Sequence, residues 1–190
     1  MADDTILCWR THATVGDVKA WLATEDRTSI AEFLWNRFDE RYFAPFEPLT
    51  ITQRNGFMTM AVCCLVIEAL ESFYQGWESS EGKKSQLAFC SFLDREQDLH
   101  VFKGYGQSFY KHVRCGILHQ AETTGGWNIT LMPGEPLFDS KRLRVQADEF
   151  RKVLARSLTA YKCAMSQAGP NDELWKNCKT KLGAILKNCG

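Results

Sequence analysis

The chain has 190 residues, of which 45% are hydrophobic and 24% charged. That is ordinary globular composition, long enough for a single domain over 1–190 with a buried core. Its 23 basic and 23 acidic residues leave a formal net charge of zero, which excludes a global field steering it to long duplexes or anionic membranes, so any phosphate site has to be local. Met1-Ala2-Asp3-Asp4-Thr5 is short and acidic and does not lead into an apolar stretch, so no secretory signal is read there. The longest apolar run, Met60 to Ile67, stops at Glu68 and is too short to span a bilayer. The expectation is a soluble cytoplasmic protein with no membrane partner. Its eight cysteines form no Cys-x2-Cys pair and read as reduced, mostly buried side chains rather than a disulfide framework.

In chain order, residues 5 to 27 give little periodicity, with a short helix around 17–22 begun by Asp17. From Ser29 to about Tyr42, Ile30, Phe33, Leu34 and Phe38 recur at helical spacing. Ser29 reads as N-cap, Glu32 completes a capping box, and Pro45 and Pro48 end the element. Residues 51 to 77 are the longest helical candidate, apolar over more than one stripe and therefore packed by several neighbours. Gly76 and the Ser79–Lys84 stretch mark a loop, and 85 to 96 is a helix through Leu87, Phe89, Phe92 and Leu93. In 98 to 120, Gly104 and Gly106 delay the firm helix to about Gln107. Period-two alternation over 127–132 and 142–146, separated by a Pro-Gly turn, predicts a small antiparallel hairpin. Helix resumes from Ala147 to about Ser166, and Asn171 or Asp172 caps a last helix. The fold class expected is all-α, a mostly antiparallel bundle with a β-hairpin insertion at about 127–146.

The chemistry concentrates in Phe109–Gln120, where Arg114 and His119 stand five positions apart in apolar helical text. Arginine holds a phosphate by a planar fork and histidine titrates nearest neutral pH. The competing reading is structural, with Arg114 paired to a carboxylate and His119 a core histidine. On an unbroken helix the two lie roughly 140° apart, a gap that Gly116 would narrow by loosening the helix. His112, Cys115 and His119 share a face at i, i+3 and i+7, which leaves a metal reading open without a fourth ligand. Glu68 and Glu71 sit inside the apolar helix, so at least one should meet a cation, with Arg114 a candidate, unless both point to solvent. Lys103, Lys111 and Arg114, with His112 beside them, form a local basic patch, and Tyr105 and Tyr110 are available to stack on bases.

The words from Phe109 to Gln120, followed by Ala121-Glu122-Thr123-Thr124-Gly125-Gly126-Trp127, resemble a bacterial branch of the HEPN family, whose signature is Arg-x4–6-His. The resemblance covers about 50–130. It implies an all-α homodimer in which the motif helices flank one cleft, and a metal-independent, cofactor-free endoribonuclease. Arg114 would stabilise charge at phosphorus, His119 would move protons on the 2′-OH or the leaving oxygen, and Glu68 would face the motif from the preceding long helix. RNA or a nucleotide would be the ligand, and an antitoxin protein a further partner if the chain is a toxin or a stress or phage-defence effector. The family often carries Asn, Asp or His after the arginine, where this chain has Cys115. Two other readings stand beside this one: a non-catalytic module that binds nucleotide or RNA, favoured by Cys115 and the zero net charge, and a helical dimerisation or scaffold domain.

Overall fold

The computed structural model describes residues 3–46 and 55–188. Eight α-helices among them make the protein mostly helical, with a two-stranded and a three-stranded sheet. The chain divides into two compact units, one holding residues 3–46, 72–79 and 157–188, the other 55–71 and 80–156.

In the first unit, β1 (Ile6–Cys8) pairs antiparallel with β2 (Ala13–Thr14). The Glu40 carboxylate holds the turn by accepting from the backbone N–H of Trp9 at 3.3 Å and Arg10 at 2.8 Å. Helix α1 (Val15–Ala23) starts two residues before the expected Asp17. Thr14 is the N-cap, and Asp17 closes the capping box from the third helical position. Helix α2 (Arg27–Phe38) is capped by Asp26, not Ser29. The Asp26 carboxylate accepts from the Ser29 N–H at 3.0 Å and from the Ser29 hydroxyl at 2.7 Å. An ionised carboxylate is the better acceptor for a helix N-terminus, so Asp26 displaces a serine that is itself a good cap. Beyond Phe38 the chain continues through a π-turn (Asp39–Phe43) and a 3-10 turn (Ala44–Phe46) that contains Pro45, while Pro48 lies outside the described residues. Phe38, Phe73 and Tyr161 pack edge to face in this unit, and Trp175, Cys178 and Leu182 of α8 (Glu173–Asn188) are buried.

The second unit contains most of α3 (Gly56–Gln75), α4 (Lys83–Arg95), a 3-10 turn (Gln97–Phe102), α5 (Gly106–Phe109), α6 (Cys115–Gln120) and the start of α7 (Ala147–Gln167). The expected start of α3 at 51 lies outside the described residues. By length and composition α3 could cross a membrane, with mean hydropathy 1.6, but 61% of that stretch is buried inside the fold and it carries two carboxylates. A helix apolar on most sides is what a protein core surrounds.

The β insertion is present, with a pairing that differs from the expected hairpin. β3 (Asn128–Thr130) runs parallel to β5 (Arg144–Gln146), and the antiparallel partner of β5 is β4 (Phe138–Asp139). Leu143 takes a left-handed conformation at φ 47° immediately before β5, and alternation alone carries no information on strand direction. Phe102, Phe109, Trp127, Phe138 and Phe150 form one aromatic core, with Phe102–Phe138 stacked at 4.5 Å and Phe109–Phe150 at 5.5 Å. That cluster fixes the helix of the Arg-x4-His motif from below.

Candidate active site

The motif helix is a continuous run from Gly106 to Gln120, interrupted by a π-turn over Tyr110–Arg114. The Cys115 N–H donates to the Tyr110 carbonyl, which inserts one residue into the turn. Such π-bulges recur at functional sites because they re-aim the side chains around them. Here the turn sets the Arg114 guanidinium over the Tyr110 ring, 5.5 Å from its centroid, a cation–π contact.

Glu68 of α3 meets the other side of the arginine, with Nε donating to Oε1 at 2.7 Å. The second carboxylate oxygen, Oε2, accepts the Ser85 hydroxyl from α4 at 2.8 Å. Burial of the guanidinium works against its charge, but the Glu68 hydrogen bond and negative charge outweigh it and hold Arg114 above its ordinary range. The pair keeps some access to water, with 19% of the Arg114 side chain and 13% of Glu68 exposed. Glu71 meets a different cation, Arg95, at 2.7 Å and is fully buried. Both carboxylates in the apolar helix are therefore paired, and the one expected to face the motif does so.

His119 is elsewhere. It is exposed near the end of α6 and has no hydrogen-bond or ion-pair partner among the described residues. Gly116 does not loosen the helix. It lets the chain fold back so closely that a Cβ there would lie 2.5 Å from the Glu122 carbonyl oxygen. Because α6 is regular, the roughly 140° separation of Arg114 and His119 stands.

His112 is partly buried, with Nδ1 2.8 Å from the Thr124 hydroxyl, while the Thr124 N–H donates to the His112 carbonyl at 3.0 Å. Gly125, at φ 60°, packs flat on the imidazole, and a Cβ would come within 2.5 Å of the ring. Trp127 then enters the aromatic core and donates its indole N–H to Ser108 at 3.0 Å. The residues trailing the motif thus fold back as a clamp on the π-turn. Of the other expected RNA contacts, Lys103 and Lys111 are exposed with no ion-pair partner among the described residues. Tyr105 packs edge-on against Phe138 at 5.0 Å, and Tyr110 lies between Phe89 and Arg114. The structure thus joins Arg114, Glu68 and Tyr110, and leaves His112, His119 and Tyr105 in separate surroundings.

Ser85 was missed by the sequence reading. Its link to Glu68 spans 17 positions and two helices, and no spacing rule carries it. Among the described residues no group of three His, Cys, Asp or Glu side chains is placed to hold a metal ion, so His112, Cys115 and His119 do not converge. The Cys63 thiol, fully buried, is pushed up to about 12 by burial, and burial raises Cys64 too. Neither is a nucleophile at neutral pH. An open cavity of about 670 Å³ in the same unit is lined by Asp98, His100, Glu135, Glu149 and Arg156 among others, and by none of the motif residues.

Compared with protein-family models, curated proteins and solved structures, the chain matches none.

Proposed function

We propose that this chain is a HEPN-like, metal-independent endoribonuclease that works as a homodimer. The observation that carries the reading is the Arg114 arrangement. An arginine is held in one orientation by a carboxylate and an aromatic ring on a π-turn, it stays accessible to solvent, and an exposed histidine lies five residues on. A guanidinium fixed before substrate arrives stabilises developing phosphorane charge without reorganising during the reaction. His119, exposed and uncommitted, can act as general base on a ribose 2′-OH or as acid for the leaving 5′-oxygen. The lysines Lys103 and Lys111 supply local positive charge on a neutral protein.

The dimer follows from two features. Arg114 and His119 diverge on their own helix, so a second copy offers a way to bring an arginine and a histidine together across a two-fold axis. Met58, Ala61, Val62, Leu65 and Ala69 share one face of α3, on which Met58 is 47% and Leu65 45% exposed, and Leu118 of α6 is 44% exposed. Glu68, which follows Leu65 by three positions on the same helix, is already paired with Arg114. An uncharged apolar face is self-complementary, as an isologous contact requires.

The test is labelled RNA incubated with purified protein in EDTA. Cleavage that needs the 2′-OH and leaves a 2′,3′-cyclic phosphate is expected. Equal cutting of DNA, or abolition by EDTA, contradicts the mechanism. RNA bound but not cut points to the binding module, a reading that Cys115 favours.

A further inference from the structure

We propose that Ser85 is a positioning residue for Arg114, acting through Glu68; its effect on RNA rests on the ribonuclease reading above. Ser85 is the third residue of α4, a place where serine often serves its own helix end. It does not do so here: the N-cap position belongs to Gly82, which makes no side-chain cap, and the backbone N–H of Ser85 bonds the Gly82 carbonyl at 3.3 Å. The side chain is buried at 6% exposure and its hydroxyl donates to Glu68 Oε2 at 2.8 Å.

The consequence is directional. A carboxylate with neither oxygen fixed rotates between partners. With Oε2 held by α4, Oε1 is left facing Arg114 Nε at 2.7 Å. Donation from Nε fixes the plane of the guanidinium and leaves the remaining donors of the fork for a bidentate anion. The relay Ser85–Glu68–Arg114 therefore sets the angle at which a phosphate is met, with the Tyr110 ring 5.5 Å from the guanidinium as a second contact. A serine that merely filled space would be replaceable by alanine with no change at Arg114.

Two readouts test this, one of which needs no RNA. Exchange of the Arg114 Nε–H with water, followed by NMR, is expected to quicken about tenfold in Ser85→Ala and to return toward wild type in Ser85→Thr, since loss of a charge-assisted hydrogen bond is worth about that factor. Affinity for a single-stranded RNA should fall about three- to tenfold in Ser85→Ala, and not at all when Ser85→Ala is added to Arg114→Ala. If Ser85→Ala fails to fold, Ser85→Cys, with its weaker donor, carries the same comparison. Unchanged Nε–H exchange in a folded variant overturns the proposal, as does a loss of affinity that persists in the Arg114→Ala background. Faster exchange with RNA affinity untouched by either Ser85→Ala or Arg114→Ala supports the relay and contradicts the ribonuclease reading instead.

Discussion

Glu68 and Glu71 stand three residues apart on α3, and each carboxylate meets an arginine at 2.7 Å. In bare Coulomb terms the two pairs are equal, yet their surroundings differ. Glu71 is fully buried, and Arg95 reaches it from the surface, one-third exposed, lying over the Phe92 ring at 5.3 Å and pairing with Glu96 as well at 3.3 Å. Glu68 shares its second oxygen with Ser85, and its arginine belongs to a π-turn beside exposed lysines. A carboxylate closed off from water, as Glu71 is, depends on its arginine, because losing Arg95 would strand a charge in the interior. Arg95 also divides its charge between Glu71 and Glu96, whereas Arg114 has one carboxylate partner among the described residues and keeps more of its charge for a phosphate. Neighbouring turns of one helix thus carry a sealed carboxylate and a partly open one.

Substitutions that should split the two regions follow from this, beginning with the largest effect. His119→Ala should lower the rate of RNA cleavage by about 10²–10⁴, the usual weight of a positioned proton-transfer group. RNA affinity should be largely retained, as measured by single-turnover cleavage and filter binding. Arg114→Lys should weaken both, because an ammonium keeps the charge and loses the planar fork. Glu71→Ala should cost about 1.5–3 kcal/mol in urea unfolding, the range for a hydrogen bond to a charged group, and leave RNA affinity unchanged, since Arg95 is one-third exposed and keeps Glu96. Glu68→Ala should cost about 1.5–3 kcal/mol on the same ground, but should reduce RNA affinity. If the two glutamates prove interchangeable in RNA binding, the distinction between them fails.

Gly125→Ala should cost about 1–3 kcal/mol, because alanine is strained at that φ and its methyl runs into His112. Loss of the His112–Thr124 contact, read by the imidazole NMR signals, should accompany it.

A third paired carboxylate, Asp148, gives the smallest effect and a defined pH sign. Burial pushes its acid form up, but hydrogen bonds and charge from Lys152 and Arg151 outweigh that and hold it below the ordinary carboxylate range. With the folded value depressed, its stabilising contribution is present above the unfolded pKa and is lost as pH falls through the folded one. Asp148→Asn should therefore be less stable than wild type at neutral pH, with the gap closing as pH falls through and below the ordinary carboxylate range.

Much of the helical scaffold was legible in the sequence because its cause is local. The apolar periodicities of α3, α4, α7 and α8 place those elements to within a few residues. The cost of burying a carboxylate among apolar side chains nominated Arg114 for one of Glu68 and Glu71, and only the family resemblance pointed to Glu68. What stayed hidden has causes that no local window contains. The β1–β2 hairpin turns through His12 at φ 56° and is held by Glu40, some thirty positions away, without a glycine to announce it. The π-turn at Tyr110–Arg114 has no residue signature of its own, since its extra residue is stabilised by the Thr124 clamp and the aromatic core behind it. Ser85 looked like an ordinary helix start until packing put it against Glu68.

The central claim, that one copy's Arg114 works with the other copy's His119, is tested most directly by mixing two inactive variants. Arg114→Ala and His119→Ala are each expected to leave RNA uncut. Unfolded together and refolded at equal concentration, half of the dimers would be mixed, each with one intact composite site of two. Recovery of about a quarter of wild-type cleavage is expected, as random two-fold pairing requires. A mixture of folded dimers no more active than either variant alone, beside an active wild type, would contradict the claim.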